Sequence, residues 1–369
     1  MKLRFPVTFL ALVAVVAAAW WAQRDPEFAA SHAQATPSVA ASPVSRRARP
    51  SLAASSVLSI NPLALAHVGV AAPRRTLFNE FLGARSYRAL YDRLRSTPEG
   101  QTPEAWYVEY EMLRRCATVP DRTSRAPRAR PADTKRDDFV ASIPQNDPQR
   151  DKRIAAFDAV SANPCDGMKD ITVKQADLDK LLADAAAGGD SKAKALQLEQ
   201  SLWDERRAAG AQGGWGRASV TVSDAQVDTL RQAAASRDPE AMVIAGRVLS
   251  GNWADFAVRM GPDQQPIEPR AFNQAWQLLA CDYGYPCDTS NPRVESACAY
   301  QGHCNAQSLP DYIYYYGASP NDSQLMSQYH DILHTAIETG DWSQVTVARG
   351  VPNPANAMGN RYFGRGAGG

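Results

Sequence analysis

At 369 residues, with 44% hydrophobic and 21% charged side chains, the chain is neither collagenous, fully disordered nor a polytopic membrane protein. Forty basic against 39 acidic residues leave a net charge of +1, which argues against a dedicated nucleic-acid binder with its clustered basic excess. The length allows two average domains, or one larger domain with tails.

Met1-Lys2-Leu3-Arg4 precedes an uncharged, mostly apolar run over 5–22. As a helix this run covers about 27 Å, enough for a bilayer core, and Lys2 and Arg4 set an N-in orientation. Trp20 and Trp21 fall where an interfacial aromatic belt belongs. The same stretch reads as a cleaved signal peptide with Ala17-Ala18-Ala19 as the cleavage site. Either way the rest of the chain is expected outside the cytoplasm: anchored in the inner membrane through residues 5–22 and facing the periplasm, or exported to it. Residues 23–75 are rich in Ala, Ser and Pro, carry no acid between Glu27 and Glu80, and include Arg46, Arg47, Arg49, Arg74 and Arg75. They bury too little apolar surface to offset the entropy of ordering, so they read as a disordered tether. Residues 346–369 read as a flexible tail, because Gly, Pro and Asn recur there without apolar periodicity.

The folded part is expected over 76–345, in two regions, 76–168 and 169–345. Tyr87, Leu90, Tyr91 and Leu94 form one apolar stripe and Trp106, Tyr110 and Leu113 the next. Thr102-Pro103 supplies a capping hydroxyl followed by Pro at the first helical position. A proline-interrupted insert from Val119 to Asp133 carries Arg122, Arg125, Arg128 and Arg130 and reads as an exposed loop; Arg153–Val160 is a further short helix.

Two segments, 171–190 and 220–238, align with one gap at a 49-residue offset, matching Thr172/Thr221, Val173/Val222, Leu181/Leu230 and Ala185/Ala234 among others. Each opens with a Thr placed to cap a helix, and Thr172-x-x-Gln175 has capping-box form. Each ends at a polar break, the second being Asp238-Pro239-Glu240, a cap, a Pro and a first-turn acid. A repeat of helix pairs is the sequence sign of an α-solenoid.

All six cysteines, Cys116, Cys165, Cys281, Cys287, Cys298 and Cys304, lie in the folded part; an even count in an exported chain favours disulfides. The last four form two C-x-Tyr-x-x-x-Cys units, unlike the C-x-x-C pairs of zinc sites. Local pairs Cys281–Cys287 and Cys298–Cys304 are favoured, leaving Cys116 with Cys165, while crossing pairs such as Cys281–Cys298 stay open.

The second repeat unit continues EAMVIAGRVLSGN (240–252) and AFNQAWQLLACDYG (271–284). With Ala241, Gly246, Leu249 and Gly251 in one helix and Ala275, Trp276, Ala280 and Gly284 in the next, it resembles the Sel-one-like subgroup of tetratricopeptide-type repeats. The resemblance covers 170–345, with LLACDYGYPC similar to the cysteine-rich secreted members, where a disulfide joins one helix to the next. It implies an all-α fold, either an α-solenoid fragment or a compact helical bundle with repeat-like pairs, clasped by disulfides.

For chemistry, His330 and His334 stand four apart in H-D-x-x-H, one methylene short of the metalloprotease H-E-x-x-H, with His303 and Asp311 as reserve ligands. His330 also lies within the apolar stripe Met326, Tyr329, Leu333 and Ile337, and His334 at its edge, so core or boundary histidines are the expectation and no metal or other cofactor is assigned. Four tyrosines in DYIYYYG (311–317) suit stacking on sugars or peptide anchoring. Trp203, Trp215, Trp253 and Trp342 read first as packing at repeat junctions, with Trp253 and Tyr312 as the candidate binding residues. No nucleophile elbow and no Walker or Rossmann glycine pattern occurs. The expectation is a non-catalytic envelope protein that scaffolds a protein partner; the alternatives are a metal-dependent hydrolase of envelope polymer and a glycan- or peptidoglycan-binding module.

Overall fold

The computed structural model of the protein describes residues 76–120, 136–213, 220–251 and 255–349. The expected membrane or signal segment, the tether, most of the arginine insert, Trp215, Trp253 and the tail beyond 349 lie outside the described residues. Three helices come first: α1 (Leu77–Gly83), α2 (Tyr87–Ser96) and α3 (Pro103–Cys116). Thr102 caps α3 as its sequence suggests, its hydroxyl accepting from the Ala105 N–H at 3.2 Å with Pro103 at the first helical position. Two short helices, α4 (Arg136–Ser142) and α5 (Arg150–Ser161), then join Phe139, Ile143 and Phe157 to Ala299 in a small satellite core.

Two helix pairs follow at the spacing of the sequence match: α6 (Gln175–Ala187) with α7 (Ser191–Gly213), and α8 (Asp224–Ala235) with α9 (Pro239–Leu249). Their first caps differ from expectation. Thr172 is not a cap: it sits in an isolated parallel bridge with Thr118, fixed by Thr118 N–H to Ile171 O at 2.9 Å and Val173 N–H to Thr118 O at 3.0 Å. That pairing keeps Thr172 extended, so α6 starts later, where the Asp177 carboxylate accepts from the Lys174 N–H at 3.3 Å. Thr221 is likewise displaced by Ser223, which forms a reciprocal capping box with Gln226 at 3.3 and 2.8 Å.

The second helix of each pair is capped by an aspartate. Asp190 accepts from the Ala193 N–H at 2.8 Å, and Asp238 accepts from the N–H groups of Glu240 and Ala241 at 3.0 Å each. Lys192, only 4% exposed, bridges both caps, 3.0 Å from Asp190 and 2.9 Å from Asp238. Burial alone would lower its pKa, but the two carboxylates outweigh that and hold it above the ordinary lysine value. One buried ammonium therefore ties the two helix pairs together.

Beyond α9 stands α10 (Pro269–Asp282), and the long helix α13 (Pro320–Thr339) packs on it. Packing runs α3 on α6, α6 on α7, α7 on α9, α9 on α10 and α10 on α13. Gly246 permits a close approach of α9 to α10: a Cβ there would lie 2.4 Å from Trp276 Cβ and Cγ, inside contact distance. Between α10 and α13 come α11 (Pro292–Ser296), α12 (Leu309–Tyr312) and two π-type turns, Ala297–Gln301 and Ile313–Gly317.

The fold is mostly helical rather than all-α. Strands β1 (Phe256–Met260), β2 (Gln265–Pro266) and β3 (Val345–Arg349) form an antiparallel sheet in the order β2-β1-β3, with Val258 opposite Val347 and Met260 opposite Val345. In β1 four of five residues are buried, which erases the alternation that marks a half-exposed strand. Residues 346–349, expected in the tail, are thus part of the sheet. One apolar core runs from Leu77 to Val345, so 76–168 and 169–345 share an interior. Three disulfides close it: Cys116–Cys165, Cys281–Cys287 and Cys298–Cys304, the two local pairs and the long-range remainder. Among the described residues no helix is long and apolar enough to cross a membrane.

Candidate functional site

Three exposed tyrosines, Tyr300, Tyr315 and Tyr316, stand around the place where the two short disulfide corners meet α12. Ser308 caps α12, accepting from the Asp311 N–H at 3.1 Å, and the Leu309 N–H donates to Cys287 O at 2.7 Å, docking the helix on the first corner. The Cys298–Cys304 corner carries His303, and the π-type turn after α12 turns Tyr315 and Tyr316 outward, 69% and 41% exposed. The His303 ring stacks on Tyr316 with centroids 4.3 Å apart and 19° between planes. Tyr316 lies 6.5 Å from Tyr312 at 23°. The Arg293 guanidinium covers the Tyr312 ring at 5.4 Å, and the Tyr312 hydroxyl reaches Gln301 Oε1 at 3.5 Å. Tyr300, 54% exposed, stands edge-on to Phe139 and Phe157 in the satellite core.

The result is a shelf in which Tyr316 stacks on both His303 and Tyr312, whose own rings are tilted 41° to each other, bordered by a guanidinium and hydroxyl groups. Such a surface offers flat apolar area with polar tips, which suits a peptide side chain or a sugar face. Of the two binding residues expected from sequence, Tyr312 is part of the shelf and Trp253 lies outside the described residues. Trp203 is 42% exposed with Arg206 over its ring at 5.7 Å, and Trp342 packs on the core. His303 and Arg293 were missed as partners of Tyr312: a disulfide and a short helix bring them there.

His330 and His334 share one face of α13, their rings 6.1 Å apart. His330 Nε2 lies 2.6 Å from Asp282 Oδ2 at the end of α10, and its Nδ1 3.4 Å from Asp331. Burial alone would lower the His330 pKa; the hydrogen bond and charge of Asp282 outweigh that and raise it above 6.5. His334 is exposed beside the Tyr283 ring at 6.1 Å. The reserve ligands lie elsewhere: His303 is in the shelf, and Asp311 accepts from the Gln307 N–H at 3.0 Å. Among the described residues no group of three or more His, Cys, Asp or Glu has metal-binding geometry. The histidine nearest a zinc-ligand role instead holds α13 to α10 through a carboxylate.

Comparison of the chain with protein-family models, with curated proteins and with solved structures returns no match.

Proposed function

We propose that the protein is a non-catalytic scaffold of the cell envelope that holds a protein partner on the shelf of His303, Tyr312 and Tyr316. The exposure of Tyr316 and its stacking on half-buried His303 and Tyr312 carry the reading: large flat side chains with polar tips are the usual anchors of protein interfaces. Three further observations support its setting. The disulfides fit an oxidising compartment. Successive helix pairs, and the Gly246–Trp276 approach, fit a Sel-one-like helical repeat that presents a binding face. Finally, the apolar run at 5–22 fits an inner-membrane anchor or export signal. A second reading has one specific observation in its favour: near-parallel tyrosines also suit the faces of a glycan, including peptidoglycan.

A photo-cross-linking residue placed at Tyr316, and at exposed Lys180 as control, separates these readings in intact cells. A discrete polypeptide adduct at Tyr316 that disappears on His303→Ala, and is absent at Lys180, is expected. No adduct, together with co-sedimentation of the protein with purified peptidoglycan, would replace the scaffold by the glycan module.

A further inference from the structure

Arg293, whose guanidinium covers the Tyr312 ring of the shelf at 5.4 Å, is exposed at the start of α11. Among the described residues it forms no ion pair. Glu295 lies two positions on, where helical geometry turns it to another side, and Asp311 is engaged by the Gln307 N–H at 3.0 Å. By contrast, Arg114 over the Tyr110 ring and Arg115 over the Phe81 ring share Glu111 as counter-ion.

What holds Arg293 instead is a chain of neutral hydrogen bonds. Its Nη1 donates to Gln277 Oε1 on α10. Gln277 Nε2 donates to Asn273 Oδ1 at 2.7 Å, and Asn273 Nδ2 to Ser250 Oγ at 3.2 Å. The Ser250 hydroxyl closes the chain on Arg247 O at 3.4 Å, at the end of α9. Every acceptor along it faces back toward the guanidinium and every donor points away. The bonds therefore polarise one another in the sense that stabilises a cation. Two packed helices, α9 and α10, carry the chain, so the guanidinium is positioned from the core. The chain uses one of five guanidinium N–H groups, and the ring contact uses only its face.

We propose that Arg293 receives a carboxylate of the partner: an Asp or Glu side chain in an acidic peptide segment, with a neighbouring apolar side chain laid on Tyr316. This rests on the reading of the shelf as a protein-binding surface and names the chemistry of what it holds. The free edge of a guanidinium takes a carboxylate in two parallel N–H···O bonds. Tyr312 and Gln277 already fix its plane, so little ordering remains to be done on binding. Arg270 adds to the positive field: it donates to Gly317 O at 2.6 Å, just past Tyr316, and likewise forms no ion pair among the described residues.

The test titrates the full-length, oxidised protein with acetyl-Gly-Phe-Glu-Phe-Gly amide and with its Gln counterpart. The readout is the Nε–Hε NMR signal of Arg293, identified by its loss in Arg293→Gln. The Glu peptide is expected to shift that signal saturably and to bind about tenfold tighter than the Gln peptide. Gln277→Glu keeps Arg293 but hands it an internal carboxylate, and should bring the Glu peptide down to the affinity of the Gln peptide. Equal affinities in the unaltered protein, no saturable shift with the Glu peptide, or unchanged binding by Gln277→Glu each overturns the proposal. N-acetylmuramic acid is the third probe; tighter binding than the Glu peptide would overturn the peptide assignment in favour of a glycan acid. Circular dichroism of both variants separates lost binding from lost folding. Equal peptide affinities with a persistent adduct at Tyr316 would sink the acid preference and leave the scaffold reading standing, so the two fail separately.

Discussion

The Nε2 of His330 lies 2.6 Å from Asp282, and that contact sets when the ring carries its second proton. The folded-state pKa stands above 6.5, so the pair's stabilisation is complete below pH 6.5 and is lost as pH rises through the raised value. Asp282→Asn is therefore expected to cost about 2 kcal/mol at pH 5.5 and much less at pH 8.5, read from thermal unfolding at the two pH values. Glu240, in the first turn of α9, runs the same way with pH, but as a growing cost rather than a fading gain. Its pKa moves from 4.5 in the unfolded chain to about 8, so its share of stability falls as pH rises between those values. Glu240→Gln should raise the melting temperature by a margin that grows from pH 5 to pH 8. The sequence shows the shared face of His330 and His334 through their spacing. It does not show Asp282, 48 positions away, nor the burial that raises the Glu240 pKa, because both depend on how distant helices meet.

At the scale of elements, caps and stripes are legible wherever local chemistry decides. Thr102-Pro103 starts α3 and Asp238-Pro239 starts α9, both as their residue types dictate. Thr172 and Thr221 fail as caps because tertiary pairing takes precedence: the bridge to Thr118 and the Asp255 N–H donating to Val220 O at 2.8 Å keep both approaches extended. At Gly246, α9 has room for α10 only because the residue lacks a side chain. Gly246→Ala gains helix propensity of about 1 kcal/mol but drives a methyl into Trp276, which is 1% exposed and cannot yield. The clash wins, and a net loss of about 1–2 kcal/mol is expected in urea unfolding. Short β1 escaped detection for the opposite reason to a surface strand, being buried on both sides.

Across the whole molecule, the three disulfides act at different ranges. Cys116–Cys165 spans 49 positions and joins the end of α3 to the approach to α6, whereas the other two each span six. Loop-closure entropy gives the long bridge about 4 kcal/mol at most and each short one about 2. A Cys116→Ser, Cys165→Ser double variant is expected to lose more stability in urea than either short-corner double variant; an equal loss would mean that native-state strain, not loop length, dominates. The even cysteine count and the two local spacings favour this pairing without excluding crossed pairs, and the continuity of the core across residue 168 is not legible, since no composition change marks it. The sheet carries a consequence for the order in which the molecule is made. β1 is complete once residue 260 has emerged, yet its partner β3 comes only at 345–349, after the whole of α13. Until then a mostly apolar strand offers its unpaired edge to any other nascent chain. Vectorial synthesis thus leaves this protein most vulnerable to self-association late, and its last described strand is the one that ends the exposure.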